Sequence, residues 1–424
     1  MKEDLLHYVW RSRRFDFQNL LTTTGEPLEI ITTGTHNTHA GPDFFDARIR
    51  IGDTLWAGNV EMHLRASEWQ NHRHGEDRAY DNVVLHVVWE EDVPVLRSNG
   101  ERIPCLEMQK RIAPALLKTY RELLHNEYWV PCQHHLHRVP DITRQLWLDR
   151  LMVERLEAKT ATIAASLEGN QQHWEETFYQ FLARNFGLKI NAEPFEALAR
   201  SLPLNILSKH KNNLLQIEAL LFGQAGLLDV AFEDEYPQKL KKEYAFLQHK
   251  YNLSPLQGSQ WKFLRLRPAN FPTIRIAQFA TLIHQSAHLF SKILAAQNLT
   301  ELENMFELSL SNYWQTHYVF DKASTKRSKT LGQTAIHLLV INTIAPFLFV
   351  YGKLKAEPDL CDRAIRLLES VPPESNSIID HWESLGFAPA AAAQTQALLQ
   401  LKNQYCDQKQ CLRCALGNVV LKEA

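Results

Sequence analysis

The chain has no strong excess of either charge: 46 Lys and Arg stand against 48 Asp and Glu, a formal net charge of −2 over 424 residues. No global basic field announces a polyanionic partner, so any contact with nucleic acid has to come from local patches. Also missing is an uninterrupted apolar segment ahead of a small-residue cleavage site. MKEDLLHYVWRSRRF opens with acidic residues, so no signal peptide is expected and the chain is expected to be cytoplasmic. The longest apolar run, His337 to Tyr351, contains Asn342 and Pro346 and is too short to span a bilayer; a buried helix is expected there and no membrane partner. Cysteine is scarce. Six in a long chain without a signal argue against a disulfide framework, yet three of the six crowd into the last twenty residues. No fixed-period repeat is found.

What is present is ordinary for a soluble globular protein, 45% hydrophobic and 22% charged, in a chain long enough for two or three domains. The most informative stretch is Gly41 to His63, GPDFFDARIRIGDTLWAGNVEMH. At a period of two it reads as a pair of strands joined by Gly52-Asp53-Thr54, a hairpin signal. If Ile51 pairs with Leu55, Asp43 falls opposite His63 and Phe45 opposite Glu61, and Asp43, Glu61 and His63 form a polar triad on one face. Trp56, Gly58, Val60, Met62 and Leu64 then form the core face. Two carboxylates at cross-strand distance repel unless a cation or a proton lies between them, which points to a magnesium or manganese site. The alternative is a partly exposed edge hairpin with surface polar residues.

Around the hairpin the pattern predicts a helix at 4–14, a strand at Leu28 to Thr32, a polar helix or ordered loop after Ser67, and a buried strand in VVLHVVWEE. Two short strands, Pro94 to Arg97 and Arg102 to Leu106, flank the turn Ser98-Asn99-Gly100. From about Pro114 helical spacing takes over. The expected fold is α+β: an α/β module over 1–112 and a mainly helical region over 113–424.

The order helix, strand, strand with Pro42-Asp43, strand with Glu61-Met62-His63, helix, strand resembles the core of the PD-(D/E)XK nuclease superfamily. Glu61 stands eighteen positions after Asp43. The resemblance implies a metal-dependent nuclease in which Asp43 and Glu61 bind magnesium and orient a water, while the third position activates it or stabilises charge. His63 occupies the place of the usual lysine. Nearly the whole chain is also similar to an uncharacterised bacterial family, a domain of unknown function, through GPDF, GNVEMH, the His-rich segment, RPANFPTIR and the cysteine-rich end.

His72, His74, Asp77 and His86 follow the hairpin. With His63 they offer a nitrogen-rich site and a second mechanism, a zinc or manganese hydrolase; solvated histidines, and for His86 a neutral core histidine, are the alternatives. Tyr80 is expected to pack at the site rim. WKFLRLRPANFPTIR interleaves Arg265, Arg267 and Arg275 with aromatics, a pattern suited to a nucleic-acid strand or to a Pro-kinked loop with ion-paired arginines. Lys326, Arg327 and Lys329 are expected on a mobile basic loop.

At the end, Cys406, Cys411 and Cys414 give C-x4-C-x2-C, a spacing that shares a metal, zinc or iron-sulfur, or else three buried thiols on a helix. Cys132 is the first choice for a fourth ligand, with Cys361 and His134 in reserve. Certain nucleases of the resembled superfamily carry an iron-sulfur staple of one upstream and three C-terminal cysteines, which this arrangement resembles with different spacing. Two classes of function follow: a metal-dependent nuclease acting on DNA or RNA, or a binding protein built on a degenerate nuclease fold.

Overall fold

The structure is a computed structural model that describes residues 2–423. It is a mixed α+β protein, 55% helix and 11% strand. Two compact units divide the chain: Met1–Trp147 together with Leu401–Ala424, and Leu148–Gln400. The composition shift near 112 therefore lies inside the first unit.

That unit is built on a mixed sheet. Helix α1 (Glu3–Arg11) precedes β1 (Leu28–Thr32), β2 (Thr35–His36), β3 (Phe44–Ile51), β4 (Thr54–Arg65), the short helix α2 (Glu68–Asn71), β5 (Val83–Glu90), β6 (Cys105–Glu107) and α3 (Pro114–His125). The strand order is β1-β3-β4-β5-β6, with β2 beside β3. β3 runs antiparallel to β1 and to β4, whereas β5 is parallel to β4 and β6 is parallel to β5. A parallel pair needs a crossover, and residues 66–82 supply it. β5 is buried along both faces from Val83 to Val88, as its unbroken apolar run requires. The turn at Ser98-Asn99-Gly100 forms, closed by Gly100 N–H donating to Arg97 O. The segment after it bridges back as expected, Arg102 opposite Leu96 and Ile103 N–H donating to Val95 O, and then continues along the sheet edge as β6.

The register of the central hairpin differs from expectation. Ile51 pairs with Thr54 rather than Leu55, across a two-residue Gly52-Asp53 turn with Gly52 at φ +57°. A bulge at Phe45-Asp46, with Asp46 at φ +58°, then shifts the ladder so that Phe44 pairs with Val60. Gly34 permits this bulge, since a Cβ there would stand 2.5 Å from the Phe45 carbonyl oxygen. Trp56, expected in the core, is 43% exposed. Val60 and Met62 are fully buried as expected, and Phe44, Ala47 and Ile49 are fully buried with them.

The second unit is helical apart from the hairpin His317–Val319 and Lys322–Ala323. Its apolar run lies in a continuous helix, Gln333–Lys355, longer than the sequence suggested. A wide π turn at Val340–Ile344 lets the helix absorb Pro346, which lacks an N–H and crowds the preceding turn. In length and composition this helix could cross a membrane, but most of it is buried within the protein.

Candidate metal centre

β4 presents alternate residues to opposite faces: Val60 and Met62 to the apolar side, Glu61 and His63 to the other. Glu61 is 5% and His63 1% exposed, so both are polar groups held out of water. The pairing at the head of β3 brings Asp43 beside Glu61. Asp43 N–H donates to Glu61 Oε2 at 3.1 Å, and Met62 N–H donates to Asp43 Oδ2 at 3.0 Å. In the parallel ladder His86 of β5 lies next to Glu61, and its Nε2 is 2.8 Å from His63 Nδ1.

The crossover returns two more imidazoles. Trp69 of α2 is buried and meets the rings of His74, Tyr80 and His86 edge-on, at centroid distances of 5.4, 5.8 and 5.4 Å. Arg73, at φ +57°, turns the chain so that His74 stacks flat on Tyr80 with centroids 3.9 Å apart. Trp69, with Tyr80 packed against it, joins a core with Ala66, Val83, Val88, Val95 and Ile103, which fixes the crossover on the sheet. One donor nitrogen each from His63, His72 and His74 then lies within 4.8 Å of the other two. Glu61 Oε1 adjoins the group, 3.3 Å from His74 Nε2 and 3.7 Å from His63 Nε2.

The sequence reasoning missed His7 and Glu3 on α1. His7 Nε2 is 3.2 Å from Asp43 Oδ2. Burial pushes Glu3 up to about 7, helped by the Asp43 charge. The signal was a Glu-His pair four apart beside an apolar stripe, which puts both on one helical face. For His7 burial acts downward, but the contact with Asp43 and the charges of Asp43, Glu3 and Asp4 outweigh it and hold its pKa up.

Electrostatics at His63 and His86 favour lone pairs over protons. Burial first, then the fields of His86, His74, His72 and His7, push His63 down to about 2, so its ring is neutral. Burial and His74 likewise lower His86 to about 4. Burial, above all, raises Glu61. If His63 offers Nε2 to an ion, its Nδ1 carries the proton and donates to His86 Nε2, and His86 then keeps its own proton on Nδ1. His86 Nδ1 is buried without a hydrogen-bond partner, as are His74 Nε2 and His7 Nε2, although carboxylate oxygens stand close to the last two. Of these, His74 Nε2, which faces Glu61 Oε1, fits a cation between the two. The donor set fits the group: imidazole nitrogens with one carboxylate suit zinc, manganese or another transition metal better than magnesium, which prefers oxygen.

The other candidates separate. Asp77 is exposed and accepts from Ala79 N–H at 2.9 Å, capping a short turn rather than joining the histidines. Tyr80 is at the rim, its hydroxyl pushed up to about 12 by burial and the Glu61 and Asp43 charges. Arg265, Arg267, Lys326 and Arg327 are exposed in the second unit. Arg275 is not: it is 6% exposed and bonded to Asn270 and Gln278. Lys329 is also buried, contrary to expectation; its Nζ donates to the Trp314 and Gln315 carbonyls and lies 4.2 Å over the Tyr318 ring. Both cations spend their charge on internal partners. Cys132, Cys406, Cys411 and Cys414 all lie in the first unit, while Cys361 lies in the second and His134 packs edge-on against Tyr128.

Residues 3–377 match the model of a family described as a protein of unknown function, DUF2851. The chain belongs to that family. Searches of curated proteins and of solved structures gave no match. For this member of DUF2851 the chemistry of the site itself carries the functional argument.

Proposed function

We propose that this chain is a metal-dependent hydrolase of phosphodiester bonds in nucleic acid, working through a transition-metal ion held by His63, His72 and His74 beside Glu61. The observation that carries it is the convergence of three imidazole donors, one of them held neutral by burial, around a buried carboxylate. An ion held by His63, His72 and His74 would supply an acidified water and a Lewis acid for a phosphoryl oxygen when bound. Glu61, pushed up by burial, is placed to hold the proton that the water gives up. His86 orients His63 through the 2.8 Å contact. Asp43 and His7 form a second polar cluster one hydrogen bond away, suited to a leaving group or a further cation.

The nucleic-acid part of the proposal has separate support. The chain order α1, β1, Asp43 just ahead of β3, β4 with Glu61, crossover and parallel β5 is compatible with the nuclease resemblance, and the contact between Asp43 and Glu61 supports the reading. Arg265, Arg267, Lys326 and Arg327 are exposed cations of the kind that can contact phosphates. In this proposal the expected two-carboxylate magnesium site gives way to the histidine-held ion. Calorimetric titration of metal-stripped protein tests the site. Zinc or manganese should bind far more tightly than magnesium, and His72→Ala with His74→Ala should weaken binding at least 100-fold. Equal affinity in the double variant would remove these histidines from the centre.

A further inference from the structure

Away from the histidines, four cysteines fall into one group. Cys132 stands just before the turn Gln133–Arg138, Cys406 ends the wide turn Leu401–Cys406, Cys411 opens the turn Cys411–Arg413, and Cys414 stands just before the helix Ala415–Lys422. That helix packs on Gln133–Arg138 and on α3, and Leu401–Cys406 packs on Cys411–Arg413. The packing is tight at Gly417, where a Cβ would stand 2.3 Å from the Cys411 carbonyl oxygen. All four thiols are buried and none is in a disulfide. Burial pushes the Cys411 thiol up to about 12 and the Cys414 thiol up to about 11, with Cys414 adding to the rise at Cys411. Cys132 and Cys406 are driven higher by burial and then by neighbouring thiols, which places the four within one another's electrostatic reach.

We propose that Cys132, Cys406, Cys411 and Cys414 together bind one thiophilic metal centre, which joins the two chain segments of the first unit. Binding displaces the four thiol protons to solvent, so a group of buried thiols becomes a group of thiolates neutralised by the metal. Lys402, which is ion-paired with Asp407, and Lys409 place positive charge near the thiols. Lys402 Nζ lies 5.0 Å over the Trp129 ring, Lys409 Nζ donates to Asn126 O at 2.6 Å, and their charges act on Cys406 and Cys411. The ligands lie roughly 270 residues apart in the chain, so the centre closes a very long loop and its effect is on stability. Spacing favours a cluster over a single ion. Zinc with sulfur at roughly 2.3 Å would draw tetrahedral thiolates to about 3.8 Å from one another. Among the described residues the trio of donors within 4.8 Å is His63, His72 and His74, and no three of these sulfurs form another. A wider set of four thiolates suits a polynuclear iron-sulfur centre.

The proposal stands apart from the hydrolase reading and is tested on the anaerobically purified full chain. Iron, acid-labile sulfide and zinc would be quantified, and X-ray absorption recorded at the edge of the metal found. The expected result is brown protein with about four irons and an iron edge fitted by sulfur at roughly 2.3 Å, a shell that a histidine-held ion cannot give. Cys132→Ser should lose that metal as fully as Cys411→Ser, with a drop in the unfolding midpoint of roughly 10 °C. If a variant does not fold, the sulfur shell of the unsubstituted protein decides by itself. One equivalent of zinc in a four-sulfur shell would sustain the site and overturn the cluster. Protein without sulfur-bound metal, or a Cys132→Ser variant that keeps it, would overturn the proposal.

Discussion

His63 sits where two chemistries diverge. In the position of a lysine it would act through a positive charge or a transferable proton; as a neutral imidazole it can only offer a lone pair. Burial and the surrounding histidines, which push it down to about 2, favour the second role at any pH a cell maintains. His63→Lys should therefore be as inactive as His63→Ala, each losing two or more orders of magnitude in hydrolysis. Substantial activity in the lysine variant would return His63 to an electrostatic role. The grouping of His63 with His72 and His74 was legible in the sequence, but the carboxylates and imidazoles around it were not. Asp77 is only three residues from His74, yet it faces its own turn, while His7, far upstream, reaches the neighbouring carboxylate. Separation along the chain says little where a crossover folds back over a strand.

The β3–β4 hairpin shows how a site can be anticipated through a wrong register. The turn is one residue shorter than its Gly-Asp-Thr signal suggests, which alone would move Asp43 to the far face of the sheet. The bulge at Phe45-Asp46 moves it back, and Asp43 meets Glu61 after all. Nothing in an alternating pattern marks such a bulge, because an Asp at positive φ looks like any strand Asp. Lys329 misled for a similar reason: its charged neighbours signal solvent, whereas the carbonyls that receive its ammonium come from a separate helix end.

The helices of the second unit carry their own buried charge. Glu218 on Leu214–Gln224 accepts from Trp314 Nε1 at 3.1 Å and from the Tyr236 hydroxyl, and burial pushes it up to about 7. A carboxyl whose folded pKa is raised contributes stability that is full below the unfolded value, 4.5 here, and is lost as pH rises through about 7. The shift corresponds to roughly 3 kcal/mol. Denaturant titrations of the native chain and of Glu218→Gln at several pH values should therefore diverge by about that amount across this window, the glutamine form holding its stability. Parallel pH profiles would mean that the carboxylate is not desolvated.

For the whole chain, the change from strands to helices near 112 marks a change of secondary structure and not the limit of the first unit. α3 and the helix Ala415–Lys422 belong to the same unit as the sheet. Arg14, which follows α1, donates to the Leu421 and Lys422 carbonyls, while Leu416, Val420 and Leu421 are buried. A chain ending at Gln400 should therefore lose the cooperative unfolding of the first unit and, with it, zinc binding at His63, His72 and His74. A truncated protein that binds zinc and melts like the full chain would show that the last segment is an appendage. Only nonlocal contacts join the termini, so no local pattern in the sequence could announce this.

The most direct measurement is cleavage of end-labelled DNA and RNA by metal-stripped protein after adding back manganese, zinc or magnesium. Hydrolysis that returns with manganese or zinc, and is lost in the His72→Ala, His74→Ala and Glu61→Gln proteins while their folds persist, is the predicted result. Cleavage restored by magnesium alone and unaffected by the two histidine substitutions would contradict the account. So would the absence of cleavage under every metal with the site shown to be loaded.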